Sequence, residues 1–316
     1  MAVSFPLAGR LSKMDAISVI FSMLLGSYCA IGLASEGGGQ NVPAGAKTIE
    51  AALLPAPGDT AIFGYELWVS APSVRDNKGK SAVPGFHVDL LASATQFAHT
   101  WTGTLLDLNL SSNLIFILDG ARVKAGSQRD TDGDLSEFIV QPIVFTWAWN
   151  DWHFLTGPMF FVPVGSYSAR NPGNAAAHYA HYVTLAYETA ITWMPRPWFE
   201  FSLHPTIGKN LSNPDTGYRS GVLTVVDWGM ITRPLLSLPQ FGVGLGGYYE
   251  HQLTDDAQNG HVLLGRRVGQ SAAGPQFLYD IAPGFMVALK YQREFNVVNS
   301  ARGGLLWLEF AVPLNF

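Results

Sequence analysis

The stretch from Leu306 to Phe316 constrains this chain more than any other. Alternate positions read Leu306, Leu308, Phe310, Val312, Leu314 and Phe316, and the positions between them read Trp307, Glu309, Ala311, Pro313 and Asn315. A period of two belongs to a strand with one apolar face and one mixed face. A strand of this kind closing on an aromatic residue is the pattern that outer-membrane proteins present to the barrel-assembly machinery. Phe316 is therefore expected to address that machinery.

The alternation recurs upstream. Phe285, Val287, Leu289 and Tyr291 alternate with Lys290, Gln292 and Glu294. Phe241, Val243, Leu245 and Tyr249 alternate with three glycines, Tyr248, Glu250 and Gln252. Phe199, Phe201 and Leu203 oppose Glu200, Ser202 and His204, and Val183, Leu185 and Tyr187 oppose Thr184 and Glu188. Near the start, Leu106, Leu108 and Leu110 oppose Asp107, Asn109 and Ser111. Phe86, Val88 and Leu90 oppose His87 and Asp89, and Phe63, Tyr65, Leu67 and Val69 oppose Glu66. About twelve segments between 61 and 316 behave this way, an even number, as single-chain bacterial barrels require. The connections are expected to alternate between short turns (Asn150-Asp151, Met194-Pro195-Arg196) and longer polar loops at 72–83, 119–133, 167–177 and 211–217. Trp147, Trp149, Trp152, Trp193 and Trp198 gather at the short turns, where interfacial girdles form.

Composition agrees. Charged residues make up 14% of the chain, against roughly 25% in soluble domains. After Ala34 no apolar run is long enough for a spanning helix. In lipid every backbone polar group must be paired internally, which leaves a closed barrel. The expected fold is all-β, an antiparallel up-and-down transmembrane barrel in the bacterial outer membrane.

Residues 1–34 read as a secretion signal. Arg10 and Lys13 precede an uncharged apolar run from Ala16 to Ala34, and Gly32-Leu33-Ala34 provides small residues for the peptidase. An uncleaved inner-membrane anchor is the alternative. The single cysteine, Cys29, lies within this segment, so residues 35–316 hold neither disulfides nor thiolate metal sites. Loss of Arg10, Lys13 and Asp15 moves the formal charge from −5 to −6, which excludes a basic nucleic-acid surface. Residues 35–60 carry Gly and Pro and do not alternate. They are expected either to lie in or under the barrel as a plug or to trail as a periplasmic tail.

These residues resemble an outer-membrane transporter family named for the meta-pathway of phenol degradation. The resemblance rests on Glu36-Gly37-Gly38, Val83-Pro84-Gly85-Phe86, Phe161 to Gly165, Asn213 to Gly221, Gly246 to Asp256, Gly274-Pro275-Gln276 and Leu289 to Phe295. It implies a barrel that takes up small hydrophobic, often aromatic, compounds. The sequence departs from the family pattern at Val222-Leu223 and at Val164.

Motifs of other chemistries fail on spacing. Gly242 to Gly247 matches a dinucleotide fingerprint in letters, but the alternation continues through it with no following helix. Counted from Asp130, the acidic run places Gly133 and Glu137 at the wrong positions for an EF-hand, leaving at most weak divalent binding that bridges to lipopolysaccharide. Gly79-Lys80-Ser81 lacks the leading glycine of a P-loop, and His178 and His181 fall on opposite sides of a strand. No cofactor or metal is expected.

The candidate lumen set is Glu66, Asp89, Asp107, Glu188, Glu200, His204, Asp227, Tyr248, Glu250, Lys290 and Glu309. It reads either as a satisfied polar network, with Lys290 bridging acids on neighbouring strands, or as a cation-tolerant filter. Trp68, Leu91, Phe97 and Tyr248 are expected to give solutes a sliding surface. The expected function is passive uptake of small apolar or aromatic molecules, with outer-membrane lipid and lipopolysaccharide around the barrel. A barrel phospholipase, needing an outward Ser beside His251, and a structural or adhesive barrel are the alternatives.

Overall fold

In the computed structural model, residues 36, 41–168, 171–177, 181–234 and 237–314 are described here. Residues 1–34, expected to be a secretion signal, His178 and Phe316 lie outside them.

Alternation gives each segment a strand conformation, and antiparallel pairing of neighbours closes the sheet. The strands are β1 (Thr60–Val74), β2 (His87–Leu105), β3 (Leu108–Ala125), β4 (Gln128–Trp149), β5 (Trp152–Pro163), β6 (Thr184–Arg196), β7 (Phe199–Asn210), β8 (Tyr218–Arg219), β9 (Leu223–Thr232), β10 (Phe241–Gln252), β11 (Asp256–Gln258), β12 (His261–Leu263), β13 (Gly269–Ala282), β14 (Phe285–Val298) and β15 (Ala301–Pro313). Twelve of them form the closed barrel, sealed by β1 on β15, and β8, β11 and β12 make a small separate sheet. The one described helix, α1 (Pro172–Ala177), packs against β3 and β4.

Directly opposed residues share a face, so the registers sort the wall. On β15 Leu306 is exposed, as is Leu314 just past its end, whereas Leu305, Trp307, Glu309 and Ala311 are buried inside. The exposed set continues through Leu289, Tyr291, Phe277, Tyr279 and Leu245, an apolar belt facing outward. Trp149 and Trp198 stand at the short turns, with Trp152 stacked on Trp193 at 5.3 Å. Thr60 and Pro313 start and end the barrel strands on that same side, which the barrel rule makes periplasmic.

Three expectations are corrected. The connection 119–133 is no loop: β3 and β4 pair from Asp119↔Asp134 to Ala125↔Gln128 around a tight turn at Gly126-Ser127. This hairpin extends past the apolar belt; Ala121 and Val123 are buried on the face that α1 covers, and Arg122 and Lys124 are exposed on the other. Asp107 does not line the lumen, because Leu106 and Asp107 form a two-residue turn with φ of 55° and 64°. Leu105 pairs with Leu108 across that turn, so β2 runs further than the alternation implies. Finally, β1 and the start of β2 face the opposite way from the sequence reading, as set out below.

Candidate functional site

The inner wall is polar, yet its polar side chains are buried, because residues 41–54 run through it as a strap. Asn41 donates to Thr184 Oγ1 at 2.9 Å near the outer end of β6. Ala52 N donates to Thr192 Oγ1 at 3.0 Å near the periplasmic end of the same strand. Between these points the strap's main chain meets wall side chains. Asp227 accepts from Gly45 N at 2.7 Å and Lys47 N at 2.9 Å. Lys290 donates to the carbonyls of Gly45 and Ala46 at 2.9 and 2.8 Å, and Gln292 donates to Gly45 at 3.1 Å. Glu200 accepts from Glu50 N at 2.7 Å.

The apolar residues of the strap fill gaps between these bonds. Val42 packs among Ile139, Phe161 and Val225. Ala46 packs among Tyr248, Leu305 and Trp307, and Ile49 among Ile231, Leu278 and Ala288. Ala51 and Ala52 meet Val144, Leu155 and Ala190. Glycines make room for the main chain. Gly229 and Gly246 pair across β9 and β10. A Cβ on Gly229 would stand 2.1 Å from the Thr48 carbonyl oxygen, and one on Gly246 3.2 Å from Thr48 Cβ. The run that mimics a dinucleotide fingerprint is thus the floor of a trough.

Seven acids and bases of the candidate set, together with Tyr248, are buried on the inner face. Glu188 accepts from His204 at 2.7 Å and from Gln141, and Asp227 lies 4.0 Å beyond the other ring nitrogen of His204. Lys290 pairs with Glu309, the next strand's only acid in this network, and stands 5.2 Å over the Trp307 ring. Its remaining partners are strap carbonyls and not a second carboxylate. Glu250 accepts from Gln270 at 2.6 Å, and Tyr248 donates to Glu294 at 2.8 Å. Low dielectric makes each satisfied pair firm and each orphan expensive.

The remaining members sit elsewhere. Glu66 pairs across from Leu308 and Ser93 on the outer face, where Ser93 donates to it at 2.7 Å. Asp89 is exposed outside and accepts from Ser70 at 2.9 Å. Asp107 is in the turn described above. Trp68, Leu91 and Phe97 are exposed on the outer wall, so of the expected sliding surface only Tyr248 faces inward. The reason is the strap. Where β1 faces it, the wall needs apolar and aromatic partners, and Phe63, Tyr65, Leu67 and Val69 turn inward. Lys47 donates to Tyr65 at 2.7 Å and to Gln96 at 3.1 Å, and its ammonium lies 5.7 Å from the Phe63 ring centre.

Lys47, Gln276, Gln292 and Glu294 are lumen groups outside the candidate set. Gln292 and Glu294 share the alternation of Lys290 and were visible there; Lys47 lies in a segment without periodicity. On the outer loops, backbone donation from Lys80 and Lys78 holds the Asp76 carboxyl below its usual range. Arg267 beside Asp255 does the same there. His251 stacks on Tyr249 with ring centres 6.1 Å apart, and Ser271 stands across from Tyr249. Among the described residues His251 and Ser271 share no hydrogen bond.

With this geometry in view, residues 71–310 match the family described as "Putative MetA-pathway of phenol degradation". The chain belongs to this family. No curated protein matches the sequence. Among solved structures, an outer membrane channel from Pseudomonas putida F1 superposes with a TM-score of 0.68 at 13% identity, covering 83% of this chain and 98% of that one. The translocator domain of the autotransporter NalP from Neisseria meningitidis gives 0.40 at 11% identity, covering 96% and 98%. A mutant of the TodX monoaromatic hydrocarbon channel gives 0.41 at 8%, covering 82% and 90%. The family member described here is a closed twelve-stranded barrel of the bacterial outer-membrane type.

Proposed function

We propose that the protein is a passive outer-membrane channel for small hydrophobic or aromatic compounds, gated by the strap at residues 41–54. The observation that carries this reading is how the strap is held. Wall side chains bind its main chain, while its own side chains are mostly small. Such a segment can shift without stranding large apolar surface, and the groups it releases (Asp227, Glu200, Lys290, Gln292) would line a wet path. The barrel of the same fold from Pseudomonas putida F1 is an outer membrane channel. The family's description, phenol degradation, supports an aromatic solute.

On this reading residues 1–34 are a cleaved secretion signal and residues 35–60 belong to the mature lumen. Phe316 addresses the barrel-assembly machinery, lipid and lipopolysaccharide surround the belt, and the protein performs no chemistry of its own. Liposome swelling tests the reading. Vesicles holding the protein should admit phenol-sized neutral aromatics several-fold faster than empty vesicles, and faster than a disaccharide. Equal rates with and without protein would remove the proposal.

A further inference from the structure

The outer wall carries a groove that the transport reading does not use. Cross-strand registers align Arg293, Gly304, Ser70, Asp89, Arg122 and Thr131 in one row over six strands, β14, β15, β1, β2, β3 and β4. One step toward the periplasm, the row reads Tyr291, Leu306, Trp68, Leu91 and Gly120. Between the two rows lies an open groove of about 820 Å³. Gly120 supplies its depth, since a Cβ there would meet nothing closer than 3.8 Å, and the Tyr291 ring lies across Gly304 to form its wall.

The polar row lies near the end of the barrel that carries the β3–β4 hairpin, at the outer-leaflet margin of the apolar belt. Asp89 is engaged by Ser70 and by His87 at 3.0 Å. Among the described residues, neither the Arg122 nor the Arg293 guanidinium makes a hydrogen bond or an ion pair. Lys124 and Arg129, paired with each other one step further out, add positive charge above Arg122. The two free guanidiniums stand four strands apart, about 19 Å along the wall at roughly 4.8 Å per strand.

We propose that this groove binds one molecule of the outer-leaflet glycolipid, lipid A. An acyl chain lies on Trp68, Leu91 and Leu306, and Arg122 and Arg293 each take a phosphate. Guanidinium forks match phosphate oxygens, and basic pockets at the margin of a membrane-spanning wall select acidic headgroups. Lipid A carries a phosphate at each end of its disaccharide and can engage both arginines. A phospholipid, with one phosphate, reaches only one.

The test is a titration of the full barrel in detergent with bisphosphorylated lipid A, dephosphorylated lipid A and phosphatidylglycerol, read by native mass spectrometry. Variants are R122Q/R293Q, G120L, which fills the floor, and R196Q at a periplasmic turn. Heat-modifiable gel mobility verifies that each barrel is folded. Bisphosphorylated lipid A should bind wild type and R196Q alike, and about tenfold or more weaker to R122Q/R293Q, as loss of two charge-assisted contacts requires. G120L should weaken all three lipids with the arginines intact. Equal affinity for bisphosphorylated and dephosphorylated lipid A overturns the proposal. So does phosphatidylglycerol binding as tightly as lipid A, which would make the groove a phospholipid site.

Discussion

Lys290 shows at the scale of one residue how the lumen is held. It is buried, pairs with Glu309, and spends its other protons on two strap carbonyls. In Lys290→Met the Glu309 charge remains buried without its partner and the strap loses an anchor. Breaking a buried pair in this way costs about 3–5 kcal/mol. The expected outcome is a lower urea midpoint in lipid vesicles together with a higher resting conductance. An unchanged midpoint would mean that water already reaches Glu309. Lys290 was legible in the sequence because Gln292 and Glu294 flank it on the same face. Alternation places Glu66 in the lumen because it opposes apolar residues, whereas on the outer wall Ser93 satisfies it.

At the scale of elements, period-two reading worked where one face meets lipid and the other meets polar groups. The strands β7, β10, β14 and β15 all have that contrast, and their faces are as the alternation implies. It inverted on β1, whose inner face packs against the strap, and on the start of β2, where Val88 packs with Val123 and with Ala176 of α1; their outer faces carry Glu66 and Asp89. It failed on the β3–β4 hairpin beyond the belt, where Asp130 and Asp132 turn to α1 and accept from Gly173 N at 2.9 Å and Asn174 Nδ2 at 2.7 Å. The strap itself has no period, and nothing local marks its contacts. The glycine trough tests its placement. In Gly229→Val the added carbons meet the Thr48 backbone, which cannot yield without moving the strap. We expect a folded barrel with conductance raised several-fold, whereas Gly103→Val, at the periplasmic end of β2 where a Cβ meets nothing within 4 Å, should leave conductance unchanged. Equal conductance in the two variants would mean that the strap does not obstruct ion flow at Thr48.

For the whole molecule, two requirements shape the sequence. Lipid demands a closed sheet with an apolar exterior, and the twelve-stranded wall with its tryptophan girdle meets that demand. A narrow lumen demands that every inward charge find a partner, and the strap supplies many of those partners. Single-channel conductance in planar bilayers tests this account most directly, comparing the wild-type chain with one whose residues 41–54 are replaced by a Gly/Ser segment of equal length. Heat-modifiable mobility would establish that both barrels are closed. The account predicts a conductance several-fold larger for the replaced chain, with a shift toward cation selectivity as Asp227, Glu200 and Glu188 meet water. Identical conductance and selectivity would contradict it.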